Sequence, residues 1–197
     1  MSTIRFLGIE TLAAALILLP IMAVLGKIYF QNGKRTWGAV LFVLYLSAVY
    51  AIVGLPVVDY CRIHLSVNLI PLVNMAEDFR NAMLNILLFV PLGFFLPILW
   101  EQFRKIRKTL GFGLCMPLTI EILQVFTFRA TDVNDLLTNL AGTLIGYALA
   151  MAGIKKLPVS VPEAKRKTEP YFLCILVFLV MFFIQPFLAR KLWEMVL

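Results

Sequence analysis

Six apolar runs, near residues 7–26, 37–58, 83–100, 110–128, 136–153 and 171–188, dominate this chain of 197 residues. Each is close to the ~20 residues that carry a helix across ~30 Å of hydrocarbon. Within a bilayer every backbone polar group has to be satisfied internally, which selects helices for such runs. Composition agrees: 61% of the residues are hydrophobic and 15% are charged. A soluble domain carries about 25% charged residues, so this chain lacks the polar surface to dissolve. The runs predict an all-α, polytopic transmembrane helical bundle of about six spans.

The formal net charge of +7 would point to nucleic acid in a soluble protein. Here it follows the rule that Lys and Arg collect in cytoplasmic loops. Segments 27–36, 101–109 and 154–170 hold Lys27, Lys34, Arg35, Arg104, Lys105, Arg107, Lys108, Lys155, Lys156, Lys165, Arg166 and Lys167. These loops alternate with less basic ones as six crossings require. The expected topology has both termini outside and the three basic loops in the cytoplasm, although Arg190 and Lys191 run against the rule. Membrane lipids are expected partners and nucleic acid is not. The first run has no convincing small-residue cleavage site and reads as a retained signal-anchor. Cys61, Cys115 and Cys174 form no CxxC pair, so no disulfide framework is implied.

Ionisable groups inside a span cost ~2.5–3.5 kcal/mol on insertion scales and so mark function. Glu121 lies in the fourth run, and Gln124, three residues on, shares its helix face. Arg129 follows in the turn. Asp132 reads as the N-cap of the next helix, with Asn134 and Asp135 in its first turn, where carboxylates suit the helix dipole. Capping does not account for Asn139. At ~100° per residue, Asp135, Asn139, Gly142 and Gly146 form one stripe. Gly142 and Gly146 make a GxxxG pair that lets two membrane helices approach closely. Asn85, in the third run, enters on the same side of the membrane. The candidate binding residues are Asn85, Glu121, Gln124, Arg129, Asp132, Asn134, Asp135 and Asn139, with Gly142 and Gly146 for helix packing. Glu77, Asp78 and Arg80 lie in the loop above. Pro91 and Pro97 are expected to kink the third span, and MAEDFRNAML to form a short interfacial helix leading into it.

Three blocks carry a resemblance: VNLIPL at 67–72, NILLFVPLGFFLP at 85–97 and EILQVFTFRATDVNDLLTNLAGTLIGY at 121–147. At these residues the sequence resembles the VanZ-like, teicoplanin-resistance family. The resemblance implies a four-helix core over 37–153. Around it stand an N-terminal helix with a basic turn (1–36), a basic cytoplasmic linker (154–170) and a C-terminal helix (171–197). It also implies a bacterial plasma-membrane location and a link to glycopeptide resistance, with no defined reaction.

Catalytic signatures are absent: there is no Walker A, HExxH or CxxC motif, and His64 is the one histidine. No cofactor and no metal site is expected. Three readings stay open. The polar groups bind a glycopeptide or an anionic lipid-linked wall precursor, or they form a membrane enzyme acting on a lipid headgroup through carboxylates, or they hold the bundle together.

Overall fold

The structure, a computed structural model, describes residues 3–58, 67–68, 79–126, 131–156 and 166–196. Its helices are α1 (Thr3–Leu25), α2 (Gly33–Val53), α3 (Phe79–Leu99), α4 (Ile106–Gln124), α5 (Val133–Lys156), α6 (Glu169–Leu179) and α7 (Gln185–Val196). Two short strands, β1 (Val67–Asn68) and β2 (Thr131–Asp132), pair in parallel. The chain divides into two compact units, one of residues 1–61 and 165–197 and one of residues 62–164.

Among the described residues, five stretches are long and apolar enough to cross a membrane: Leu7–Phe30, Gly33–Val53, Phe79–Leu99, Val133–Lys156 and Glu169–Met195. The run expected as the fourth span folds as α4, which is 19 residues long. It begins at Ile106, so Arg107 and Lys108 join Glu121 within the helix. No 18-residue stretch of α4 leaves out any of those three charges, whereas each of the other five has one with at most two. The fold is that of a polytopic transmembrane helical bundle. The interfacial helix expected at MAEDFRNAML lies partly outside the described residues, and α3 begins at Phe79. Pro91 and Pro97 both sit inside α3, which is helical through to Leu99.

In the first unit, α1 continues through a π-helical turn, Gly26–Phe30, and α6 joins α7 through another, Val180–Ile184. The α1–α2 corner is tight. Gln31 takes a left-handed φ of 52°, and the Asn32 side chain caps α2 by accepting the Arg35 N–H at 3.1 Å. Gly54, at φ 63°, ends α2 in the left-handed conformation that costs glycine least. Ala13, Ala14, Leu18 and Met22 of α1, Phe42, Val43, Leu46 and Val49 of α2, Leu173 and Val177 of α6, and Met181 of the turn after it are buried.

In the second unit, α3 and α5 lie backbone on backbone. A Cβ on Gly142 would stand 2.2 Å from the Ile86 carbonyl oxygen, and one on Gly146 would stand 1.9 Å from that of Val90. The contact advances by one turn on both helices together, so α3 and α5 run parallel. Gly93 answers from α3, where a Cβ would meet the Thr143 carbonyl oxygen at 1.9 Å. Between α3 and α4 the chain turns through Glu101–Arg104. Trp100, Phe103 and Phe112 pack edge to face there, at centroid distances of 6.4 and 5.4 Å. The Tyr147 hydroxyl of α5 donates to the Arg104 carbonyl at 2.7 Å, closing this aromatic end.

Candidate functional site

The helix register places polar residues at the opposite end of the second unit. α4 returns against α5, with Gly113 against the Thr143 side chain, which a Cβ would approach to 2.5 Å. Glu121 lies about eight residues beyond Gly113, and Asp135 lies the same number before Thr143, ~12 Å along each axis at ~1.5 Å per residue. The two carboxylates therefore stand at one level. Asn85 of α3 reaches that level as well, because its Nδ2 donates to Asp135 Oδ1 at 2.7 Å.

This end of the unit is buried as well as polar. Glu121, Gln124 and Asn139 are each 5% exposed, Asn134 9%, Thr138 3% and Thr143 0%. Asn85 and Asp135 are half-buried. Glu121, Gln124, Asn134 and Asp135 each take part in at least one further interaction with a neighbour. The threonines satisfy the helix rather than the site. Thr138 Oγ1 donates to the Asn134 and Asp135 carbonyls at 2.9 and 3.1 Å, and Thr143 Oγ1 donates to the Asn139 carbonyl at 3.0 Å. Asn139 and Gln124 are different: Asn139 Oδ1 and Gln124 Oε1 are both buried and accept no hydrogen bond among the described residues. A buried acceptor left in this state costs about 1–3 kcal/mol.

Asn139 lies one turn above the crossing of all three helices. Gly142, three residues on, is against α3, and Thr143, four residues on, is against α4. Gly93, Gly113, Gly142 and Gly146 bring the three helices close below Asn139. Above it stand amides and carboxylates from α3, α4 and α5. This arrangement offers both donors and acceptors to a ligand. Among the described residues, no group of three or more His, Cys, Asp or Glu is placed to hold a metal ion.

Not every expected site residue can be placed. Arg129 lies outside the described residues, and so do His64, Cys61, Glu77 and Asp78. Asp132 is described through its backbone alone, which pairs with Asn68 in the β1–β2 ladder, while Val67 pairs with Thr131. That pairing ties the VNLIPL block to the start of α5, a link the sequence did not suggest. Arg80 and Asn81 are exposed at the start of α3. Two site neighbours were also missed, Thr138 and Thr143. Their signal was present, since each follows an asparagine by four residues on the same face.

A polytopic helical membrane protein with a buried polar cluster on three of its helices is thus the class that fold and site define. The chain belongs to the VanZ/LLP1 family, whose model matches residues 42–155. It is similar to Protein VanZ of Enterococcus faecium, with 34% identity over 85 residues, 43% of this chain and 52% of that protein. The chain therefore spans about half the length of this curated relative. No solved structure matches it.

Proposed function

We propose that the polar end of α3, α4 and α5 faces outward from the bacterial plasma membrane. There it binds a glycopeptide or an anionic lipid-linked cell-envelope molecule, and by that binding it contributes to glycopeptide resistance of the teicoplanin type. Asn139 carries the reading, with a buried acceptor on α5 one turn from the level of the buried Glu121. A cluster that served stability alone would gain by satisfying that acceptor, because its desolvation is unrewarded until something donates to it. Membership of the VanZ/LLP1 family supports the resistance role. The charge distribution supports the orientation, with both termini outside and the basic loops within.

Glu121→Gln tests the binding reading, since it keeps size and hydrogen bonding while removing the charge. In a teicoplanin-susceptible bacterial host the variant is expected to accumulate in the membrane to within about twofold of the parent, because it keeps hydrogen-bonding capacity at the buried position. Protection from teicoplanin is expected to be lost. Normal accumulation with undiminished protection sinks the charge-dependent reading. Orientation has its own test, by single cysteines and an impermeant thiol reagent on intact cells. A cysteine in 128–135 is expected to react and one in 154–170 to stay unlabelled, whereas the reverse pattern inverts the topology.

A further inference from the structure

Two segments far apart in sequence meet in the first unit, where α2 and α6 begin. Arg35, in the first turn of α2, forms an ion pair with Glu169, the first residue of α6, and their side chains are 4% and 1% exposed. Both partners are held by their own turns. The Arg35 N–H donates to the Asn32 side chain at 3.1 Å, and the Glu169 N–H donates to the Arg166 carbonyl at 3.2 Å. The pair cancels its own charge and fixes the segments on either side of it.

The charge left around this pair has one sign. Lys27 and Lys34 on the α2 side, and Arg166 and Lys167 on the α6 side, are exposed cations. Segments 26–36 and 166–171 contain no carboxylate besides Glu169. One step further into each span stands an exposed aromatic ring. Trp37, two residues after Arg35, is 68% exposed, and Tyr171, two residues after Glu169, is 51% exposed. Trp and Tyr collect at the level of lipid headgroups, and cations beside that level attract anionic lipid. The two segments therefore repeat one pattern, cation then ring, on both sides of a single buried contact.

We propose that this end of the first unit is a binding site for the headgroup of an anionic phospholipid. Lys27, Lys34, Arg166 and Lys167 hold the phosphate, and Trp37 and Tyr171 set its depth. The Arg35–Glu169 pair is a positioning contact that gathers the cations of two loops into one patch. Basic loops are common in membrane proteins. What makes this one a site is the contact that joins residues 134 positions apart.

The test uses the full-length protein in neutral detergent, titrated with phosphatidylglycerol or phosphatidylcholine, with bound lipid counted by native mass spectrometry. The parent is expected to prefer phosphatidylglycerol. Replacing Lys27, Lys34, Arg166 and Lys167 together by Gln is expected to weaken that binding roughly fivefold per charge removed. All four are exposed, so this variant keeps its fold. A matched control replaces Lys105, Arg107, Lys108 and Lys155, four exposed cations of the second unit, by Gln. It is expected to stay within about twofold of the parent, and an equal loss would mean that net charge alone attracts the lipid. Glu169→Gln separates the accounts further, because it adds positive charge while breaking the pair. Weaker phosphatidylglycerol binding supports the positioning contact, and unchanged or tighter binding overturns it. Glycerol phosphate that competes as well as the lipid would make this a soluble phosphate site instead.

Discussion

The two units bury polar groups to a similar degree and arrange them in different ways. In the first unit they meet two by two between helices, although Glu169 Oε2 is buried and accepts no hydrogen bond among the described residues. Arg35 meets Glu169, and Gln185, 1% exposed, donates from Nε2 to the Glu10 carboxylate and, at 3.3 Å, to the Glu10 carbonyl. In the second unit, amides, hydroxyls and carboxylates from three helices converge over a floor of glycines, and Asn139 Oδ1 accepts nothing among the described residues. Depth of burial does not separate these cases, since Arg35 and Asn139 are 4% and 5% exposed. Partnership does. A matched pair fixes two helices to each other, whereas an unmatched acceptor keeps its desolvation cost until a ligand donates to it.

The largest effect is expected where a matched pair is broken on one side. Glu169→Ala leaves the Arg35 guanidinium buried without its carboxylate, which costs about 3–5 kcal/mol. The melting temperature in detergent should fall sharply, and membrane accumulation with it. Removing both partners tests the cause. The double variant Arg35→Met, Glu169→Leu fills the space with apolar groups and should recover most of the loss, because replaced buried pairs are often neutral or stabilising. A double variant as unstable as Glu169→Ala alone would show that packing at the helix starts, not charge, carries the effect.

Next in size is the floor beneath Asn139. At Gly146 an added Cβ would stand 1.9 Å from the Val90 carbonyl oxygen and 2.8 Å from the Phe94 nitrogen, both of them backbone atoms that cannot rotate away. Gly146→Ala is therefore expected to force α3 and α5 apart, at the ~1–3 kcal/mol typical of overpacking. At Gly153 of the same helix an added Cβ would meet nothing within 4 Å, so Gly153→Ala serves as the control and should leave melting unchanged or raise it, since alanine favours a helix over glycine. Equal melting of the two variants would mean that α3 and α5 do not meet at this depth.

These contrasts show what the chain disclosed before its structure. Apolar runs of spanning length mark five of the spans, because hydrocarbon thickness leaves a signature in composition. α4 blurred that signature, since its start carries Arg107 and Lys108 and its far turn carries Glu121. The stripe of Asp135, Asn139, Gly142 and Gly146 was readable from a period of 3.6 residues, which is local information. Its counterparts on other helices were not. Nothing in the sequence ties Gly93 or Gly113 to Thr143, or Asn68 to Asp132, because those matches depend on how separate helices and strands register. The Arg35–Glu169 pair was hidden for a further reason. Both residues lie in basic loops, and nothing local to either loop ties Arg35 to a carboxylate 134 positions away.

The smallest expected change in stability is also the sharpest test of the difference between the units. Asn139→Leu removes the unmatched acceptor and puts an apolar side chain of similar size in its place. A residue holding the bundle together by hydrogen bonds would be missed, and melting would drop as it does for Glu169→Ala. An acceptor waiting for a ligand would not be missed by the empty protein, and its removal should leave stability unchanged or raise it by about 1 kcal/mol. The same substitution should remove protection from teicoplanin in cells, because a leucine cannot accept the ligand's hydrogen bond. Stability and protection are thus expected to move apart at Asn139, where the two units' designs predict opposite outcomes. If they fall together, the polar end of α3, α4 and α5 is a structural network of the same kind as the pairs in the first unit.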